Sequence, residues 1–108
     1  MLLSELLTPR QIIPDLKVTS KKQALTELAS FAAGDLGIED RTIADVLIER
    51  ERLGSTGVGR GVAIPHGKLP QIDRLYLAFA RLSKPVAFDS PDGKPVDLLF
   101  LLLTPENA

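Results

Sequence analysis

The chain of 108 residues contains no cysteine and one histidine, His66. The lack of cysteine excludes disulfide bonds and thiolate zinc sites, and one histidine excludes a multi-histidine metal site within a single chain. We therefore expect no structural metal, and we expect no cofactor.

Charge of one sign is not in excess, since 13 lysines and arginines face 14 acidic residues, without a run of five like charges. This balance disfavours nucleic acid and anionic membranes as partners. Glu5 interrupts the apolar amino terminus before a signal-peptide core forms. The longest apolar run, residues 98–103, is far shorter than the ~20 residues of a membrane helix. We expect a cytoplasmic protein without membrane insertion.

A first helix is predicted from Ser20 to Leu36. Ser20 and Gln23 have the spacing of a capping box, and Gly37 is placed to end the helix. Four apolar residues share one face of this helix: Leu25, Leu28, Ala32 and Leu36.

A second helix is predicted to begin with Asp40 as its N-cap. One face of this helix has the spacing i, i+3, i+4 and i+7 that is typical of an amphipathic helix, and it contains Ile43, Val46, Leu47 and Arg50. Arg50 therefore lies on the apolar stripe, where an arginine is costly unless an anion or a carboxylate meets it. Two alternatives remain open at this point: Arg50 extends past the helix end into solvent, or it pairs with Glu49 or Glu51.

Three segments have strand character: residues 62–64, 75–82 and 96–103. The last is almost uninterrupted leucine and phenylalanine, which is typical of a mid-sheet strand covered on both faces. We expect a single α/β domain, residues 1–108, with a mixed β-sheet flanked by helices. Two helices hardly cover both faces, so we expect the C-terminal helices to be missing from this chain or supplied by another molecule. The exposed apolar surface and strand edges of residues 96–103 would then favour a homo-oligomer.

Residues 54–61 contain four glycines in eight positions, which favours a loop. The P-loop motif is absent because no Gly-Lys-Ser or Gly-Lys-Thr occurs, and the dinucleotide fingerprint fails at Val62. A Ser-His-Asp trio of Ser55, His66 and Asp97 exists on paper, but the motif G-x-S-x-G that supports it is absent.

His66 has two interpretations. A lone histidine after a proline often serves only to satisfy a backbone carbonyl. In this segment, however, an inward arginine (Arg50), two hydroxyls (Ser55 and Thr56) and glycine amides surround it in sequence. Neutral imidazole is a nucleophile near pH 7, and guanidinium and hydroxyl donors stabilise the charge of a phosphoryl group. We therefore predict that His66 carries a phosphoryl group.

Two motifs resemble the signature of bacterial enzyme IIA domains of the mannitol, fructose and nitrogen-regulatory class, which belong to the phosphoenolpyruvate-dependent phosphotransferase system. They are Gly-Ser-Thr-Gly at 54–57 and Ala-Ile-Pro-His-Gly-Lys at 63–68. The resemblance extends from residue 3 to residue 104. It includes Arg-Glu-Arg-Leu at 50–53 and Ala-Phe-Asp at 87–89. The intact loop and Gly-Lys-Leu at 67–69 are most similar to the nitrogen-regulatory branch.

The resemblance implies that His66 is phosphorylated on Nε2 by an HPr-like phosphocarrier and that Arg50 stabilises the phosphoryl group. Ser55 and Thr56 match the loop hydroxyls of the family and are expected to bind the phosphoryl group. The output implied is regulation of a partner protein, or transfer to a sugar-specific IIB domain. Typical family members continue past residues 104–108 into helices that begin near a second active-site histidine, and this sequence has neither. The alternative is therefore a regulatory binding module with little or no phosphotransfer.

Overall fold

The computed structural model describes residues 8–106, which form two helices and a six-stranded sheet after a short 3-10 turn at Pro9–Gln11. The helices are α1 (Lys21–Leu36) and α2 (Asp40–Arg52). The strands are β1 (Ile12–Leu16), β2 (Gly57–Gly59), β3 (Val62–Ala63), β4 (His66–Leu69), β5 (Tyr76–Val86) and β6 (Val96–Pro105). The predicted α/β class with a mixed sheet is confirmed.

The ends of α1 follow from local sequence, as predicted. The Ser20 hydroxyl accepts a hydrogen bond from the backbone nitrogen of Gln23 at 3.1 Å. The Gln23 side chain accepts from the backbone nitrogen of Thr19 at 2.8 Å, one residue earlier than in a standard capping box. Gly37 ends the helix with a φ of 70°, a conformation that glycine adopts without steric cost.

Helix α2 begins one residue earlier than predicted. Glu39 is its N-cap, without a side-chain capping bond, and Asp40 is the first helical residue. Asp40 therefore acts through its charge near the positive end of the helix, and the prediction of an Asp40 cap is wrong. Ile43 and Leu47 are buried, whereas Arg50 is partly buried. Neither α1 nor α2 has the length and hydropathy that crossing a membrane requires.

Strand β6 lies in the middle of the sheet, as its apolar sequence predicts. It pairs antiparallel with β5 on one side and parallel with β3 and β4 on the other, and the strand order is β1-β5-β6-β3-β2. The backbone of β6 is therefore paired on both sides. The expectation that this strand exposes unpaired edge groups is wrong, because its neighbours use them.

The two faces of β6 differ in burial. Leu99, Leu101 and Leu103 are fully buried in one cluster with apolar residues of both helices. The alternate residues, Leu98, Phe100 and Leu102, are only partly buried. The apolar sequence of β6 predicts that both faces of the strand are buried. Within residues 8–106, however, the helices pack against one face only.

Candidate active site

The histidine lies at the start of a strand. His66 is the first residue of β4, which pairs with β6 opposite Leu102. The sequence places it at the end of the strand that contains Val62, but Pro65 separates β3 from β4. Pro65 has no N–H to donate, while its carbonyl accepts a hydrogen bond from the Leu102 nitrogen at 3.0 Å. Both short strands therefore pair with the same side of β6. The imidazole lies directly after the break at Pro65, on the first residue of β4.

The two ring nitrogens of His66 have different partners. Nδ1 lies 2.9 Å from the carbonyl oxygen of Ile64, and Nε2 lies 3.2 Å from Nε of Arg50. A carbonyl can only accept a hydrogen bond, and a guanidinium can only donate one. The contacts are thus satisfied together only when Nδ1 carries the proton and Nε2 presents its lone pair. Nε2 is therefore the nucleophilic atom of the ring.

Arg50, in the last turn of α2, reaches His66 from across the chain. Its Nη1 also donates to the carbonyl of Gly54 at 2.8 Å. Neither local carboxylate is its partner, because Glu49 pairs with Arg52 at 2.7 Å and Glu51 faces another set of donors. The structure therefore excludes the pairing with Glu49 or Glu51 and directs the guanidinium to the imidazole.

The approach of α2 to β4 depends on Gly67. A Cβ atom at this position would lie 2.3 Å from Cγ1 of Val46, far inside van der Waals contact. Val46 precedes Arg50 by one helical turn, so the same close approach brings Arg50 to His66. Sequence reasoning missed this role, although a glycine directly after the histidine was a signal for it.

The hydroxyls of Ser55 and Thr56 donate within the loop. Ser55 Oγ donates to the carbonyl of Phe88 at 2.5 Å, and it accepts from the Gly57 nitrogen at 3.0 Å. Thr56 Oγ1 donates to Glu51 Oε1 at 2.5 Å. In residues 8–106 neither hydroxyl makes a hydrogen bond to His66 or Arg50, so their predicted phosphoryl-binding role stays a prediction.

The Ser-His-Asp arrangement is not assembled. The partner of His66 Nδ1 is a backbone carbonyl, and the hydroxyl of Ser55 donates to Phe88. Asp97 lies beside Gly61 instead: a Cβ atom added to Gly61 would lie 3.1 Å from Oδ1 of Asp97. Across the described part of the chain, no group of three metal-ligating side chains is present either.

A pocket of about 860 Å³ opens beside His66. Val46, Leu53 and Leu102 give it an apolar lining. Its charged lining residues are two acidic and two basic side chains: Asp45, Glu49, Arg50 and Lys68. Leu53 is 74% exposed at its rim, immediately after α2. The imidazole is thus reached over a largely apolar surface, which suits contact with another macromolecule.

Comparison with known families gives one match that covers nearly the whole chain. Residues 5–108 match the family described as "Phosphoenolpyruvate-dependent sugar phosphotransferase system, EIIA 2". The match includes every residue of the site described above.

Several of the individual relatives are nitrogen regulatory proteins. The chain is 56% identical over 108 residues to a nitrogen regulatory protein of Bradyrhizobium diazoefficiens, and it spans 71% of that protein. It is 46% identical over 89 residues, 82% of its own length, to a nitrogen regulatory protein of Klebsiella oxytoca and spans 55% of that one. The crystal structure of nitrogen regulatory protein IIA-Ntr from Neisseria meningitidis superimposes with a TM-score of 0.92 at 43% identity, covering 98% of this chain and 73% of that one.

Proposed function

The chain belongs to the EIIA 2 family of the phosphoenolpyruvate-dependent sugar phosphotransferase system, and from this premise we propose that Nε2 of His66 accepts a phosphoryl group from an HPr-like phosphocarrier. The observation that carries the proposal is the unprotonated Nε2, whose lone pair accepts a hydrogen bond from the Arg50 guanidinium. No cofactor is needed, because an imidazole is itself the nucleophile.

The transfer exchanges one phosphorus–nitrogen bond for another. The Nε2 lone pair attacks the phosphorus of a phosphohistidine on the carrier, and the carrier imidazole leaves with the electron pair of the broken bond. Nδ1 keeps its proton throughout the transfer and donates it in a hydrogen bond to the Ile64 carbonyl. Bond formation consumes the lone pair that Arg50 contacts in the free protein, so the guanidinium turns to the phosphoryl oxygens and stabilises their charge.

The output we propose is regulatory. Its support is the likeness to nitrogen regulatory proteins from several bacteria, and the cytoplasm is the compartment we propose for it. The apolar pocket rim beside His66 supports a protein as the downstream partner. Transfer to a sugar-specific IIB domain is the other output that the family supports.

Phosphoryl transfer is tested with the natural full-length protein, phosphoenolpyruvate, enzyme I and the carrier, with intact mass as the readout. We expect the gain of one acid-labile phosphoryl group that His66→Ala abolishes. Arg50→Lys keeps the charge but loses the planar fork of donors, so the rate should fall on the order of 10²-fold. Arg52→Lys is the matched control, because Arg52 is exposed and pairs with Glu49. A protein that gains no phosphoryl group, or one that His66→Ala still gains, would contradict the proposal.

A binding module with little or no phosphotransfer is the second candidate, favoured by the apolar pocket rim. It predicts that a partner binds His66→Asp and His66→Ala equally well. A large difference in affinity between these variants would instead support switching by phosphorylation, since aspartate brings the negative charge that alanine lacks.

We also propose self-association of the 108-residue chain, through the partly buried sheet face rather than through a strand edge. Leu98, Phe100 and Leu102 lie on that face and are already partly buried, so completing the burial of each gains only part of the about 1.5–3 kcal/mol that full burial is worth. Sedimentation velocity at increasing concentration should show a growing dimer fraction. A chain that stays monomeric at the highest concentration would contradict this proposal.

A further inference from the structure

Glu51 stands out because it is buried and charged. Its exposed fraction is 8%, and no other charged residue within residues 8–106 is buried to that degree. A carboxylate at such a position is costly unless it is paired and fully hydrogen-bonded. Glu51 follows Arg50 directly in the last turn of α2, so whatever satisfies it lies close to the candidate active site.

The Glu51 carboxylate is satisfied from two directions. Oε2 accepts from the Thr56 backbone nitrogen and from Lys21 Nζ, both at 3.0 Å, and Oε1 accepts from the Thr56 hydroxyl. Lys21 also contacts Asp89 at 3.0 Å. Burial lowers the pKa of the Lys21 ammonium, but its hydrogen bonds to Asp89 and Glu51 outweigh burial and raise it. A charged lysine therefore neutralises Glu51, and the other two bonds hold Thr56.

From Thr56 a chain of hydrogen bonds runs to the imidazole. The carbonyl of Thr56 accepts from the Ile64 nitrogen at 3.0 Å. The carbonyl of Ile64 accepts from His66 Nδ1 at 2.9 Å. Glu51 thus holds Thr56, and the Thr56 carbonyl holds the backbone N–H of Ile64. The carbonyl of Ile64 in turn accepts the hydrogen bond from the ring N–H of His66.

The same segment also supports Arg50. The Gly54 nitrogen donates to the backbone carbonyl of Glu51 at 3.2 Å, and the Gly54 carbonyl accepts from Arg50 Nη1. Residues 54–56 are therefore tied to Glu51 at both ends, by its backbone at Gly54 and by its side chain at Thr56. A displacement of this segment would disturb both partners of the imidazole.

We propose that Glu51 is a positioning residue that acts through Thr56 and Ile64 to hold His66 in the tautomer with a protonated Nδ1 and an unprotonated Nε2. The role rests on the proposed phosphoryl transfer at Nε2. The tautomer itself is a property of the unphosphorylated protein, so it is measured without any phosphoryl donor. Failure of this inference is thereby distinguished from failure of the proposed function.

The test compares natural full-length wild-type protein with Glu51→Gln. Nitrogen-15 NMR of the imidazole at pH 9 reads the tautomer, and His66, the one histidine in the sequence given, is identified by the loss of its signals in His66→Ala. We expect wild type to show protonated Nδ1. In Glu51→Gln, where an amide NH₂ replaces one acceptor oxygen, we expect a mixture with protonated Nε2. The phosphorylation rate should fall by roughly tenfold to a hundredfold, the range expected when a reacting group is misplaced. Glu27→Gln, an exposed glutamate of α1, is the matched control and should leave both readouts unchanged.

Thr56 provides a second pair of variants in case Glu51→Gln fails to fold. Thr56→Val removes the hydroxyl that Glu51 accepts and keeps the shape, whereas Thr56→Ser keeps the hydroxyl. We expect the tautomer to shift in Thr56→Val and to return in Thr56→Ser. An unchanged tautomer in the folded Glu51→Gln and Thr56→Val proteins would overturn the proposal, even with a slower transfer or a lower stability. Such a result would leave Glu51 and Thr56 with a structural or a direct phosphoryl-binding role.

Discussion

Replacing Gly67 with alanine should drive α2 away from β4 and separate Arg50 from His66. The added Cβ would lie 2.3 Å from Val46 Cγ1, whereas ordinary contact begins at 3.4 Å, so the two atoms must separate by about 1 Å. Val46 cannot easily move its methyl aside, because a valine in a helix strongly prefers one rotamer. The helix, with Arg50 one turn later, is therefore expected to move.

The magnitude follows from overpacking and misplacement. Forcing an extra methyl into a well-packed contact typically costs about 1–3 kcal/mol of folding free energy. Arg50 Nε donates a hydrogen bond to His66 Nε2 at 3.2 Å in the wild type. An increase of about 1 Å in this distance breaks the hydrogen bond. A misplacement of this size can slow a reaction by about 10²-fold.

Urea denaturation measures the stability, and phosphorylation by the carrier measures the rate. Gly34→Ala is the matched control: Gly34 lies within α1 and has open space around a Cβ, so alanine there should add about 0.5–1 kcal/mol of stability. Gly67→Ala combined with Val46→Ala should recover much of the lost rate, since the second change removes the clashing methyl. Their coupling energy in a double-mutant cycle should be clearly different from zero.

Wild-type stability and rate in Gly67→Ala would refute the reasoning about the α2–β4 contact. So would additive effects of the two substitutions, because these would show that Gly67 acts independently of Val46. If stability falls and the rate does not, then the position of α2 does not set the position of Arg50.

Two further predictions concern the frame around the site. Ser20→Ala should lower the free energy of unfolding by about 1 kcal/mol through loss of the α1 cap, while Ser30→Ala, exposed within the same helix, should not destabilise; equal urea midpoints for the two variants would contradict this. Burial raises the pKa of Tyr76 above its ordinary value of 10.0, and the hydrogen bond to Asp35 raises it further. The stability that Tyr76 contributes is therefore present below pH 10 and is lost as the pH rises through the raised pKa. In the 108-residue chain, where Tyr76 is the one tyrosine, tyrosinate absorbance should appear only as the protein unfolds, and ionisation near pH 10 in the folded chain would contradict the assignment.

Local features of the sequence were enough to predict both helices and the strands β3, β5 and β6, but not the short strands β1, β2 and β4. Ser20 and Gly37 delimit α1 because a cap and a left-handed glycine act within a few residues of the helix end. The apolar run of β6 predicted its place in mid-sheet because a strand flanked by other strands is largely buried. Asp40 was assigned one residue late as a cap, since an aspartate suits both the cap and the first turn.

The sequence by itself also predicted the site, since the place of Arg50 on the apolar stripe of α2 and the family signature around His66 singled out both residues. The tertiary structure decided their geometry. It placed Arg50 on Nε2, bound Nδ1 to Ile64, and directed the hydroxyls of Ser55 and Thr56 into the loop. It also revealed Glu51, whose partners lie at least five residues away. Such contacts depend on how α2, the loop and β4 pack together, and that arrangement is the sum of many distant interactions rather than a property of any short segment.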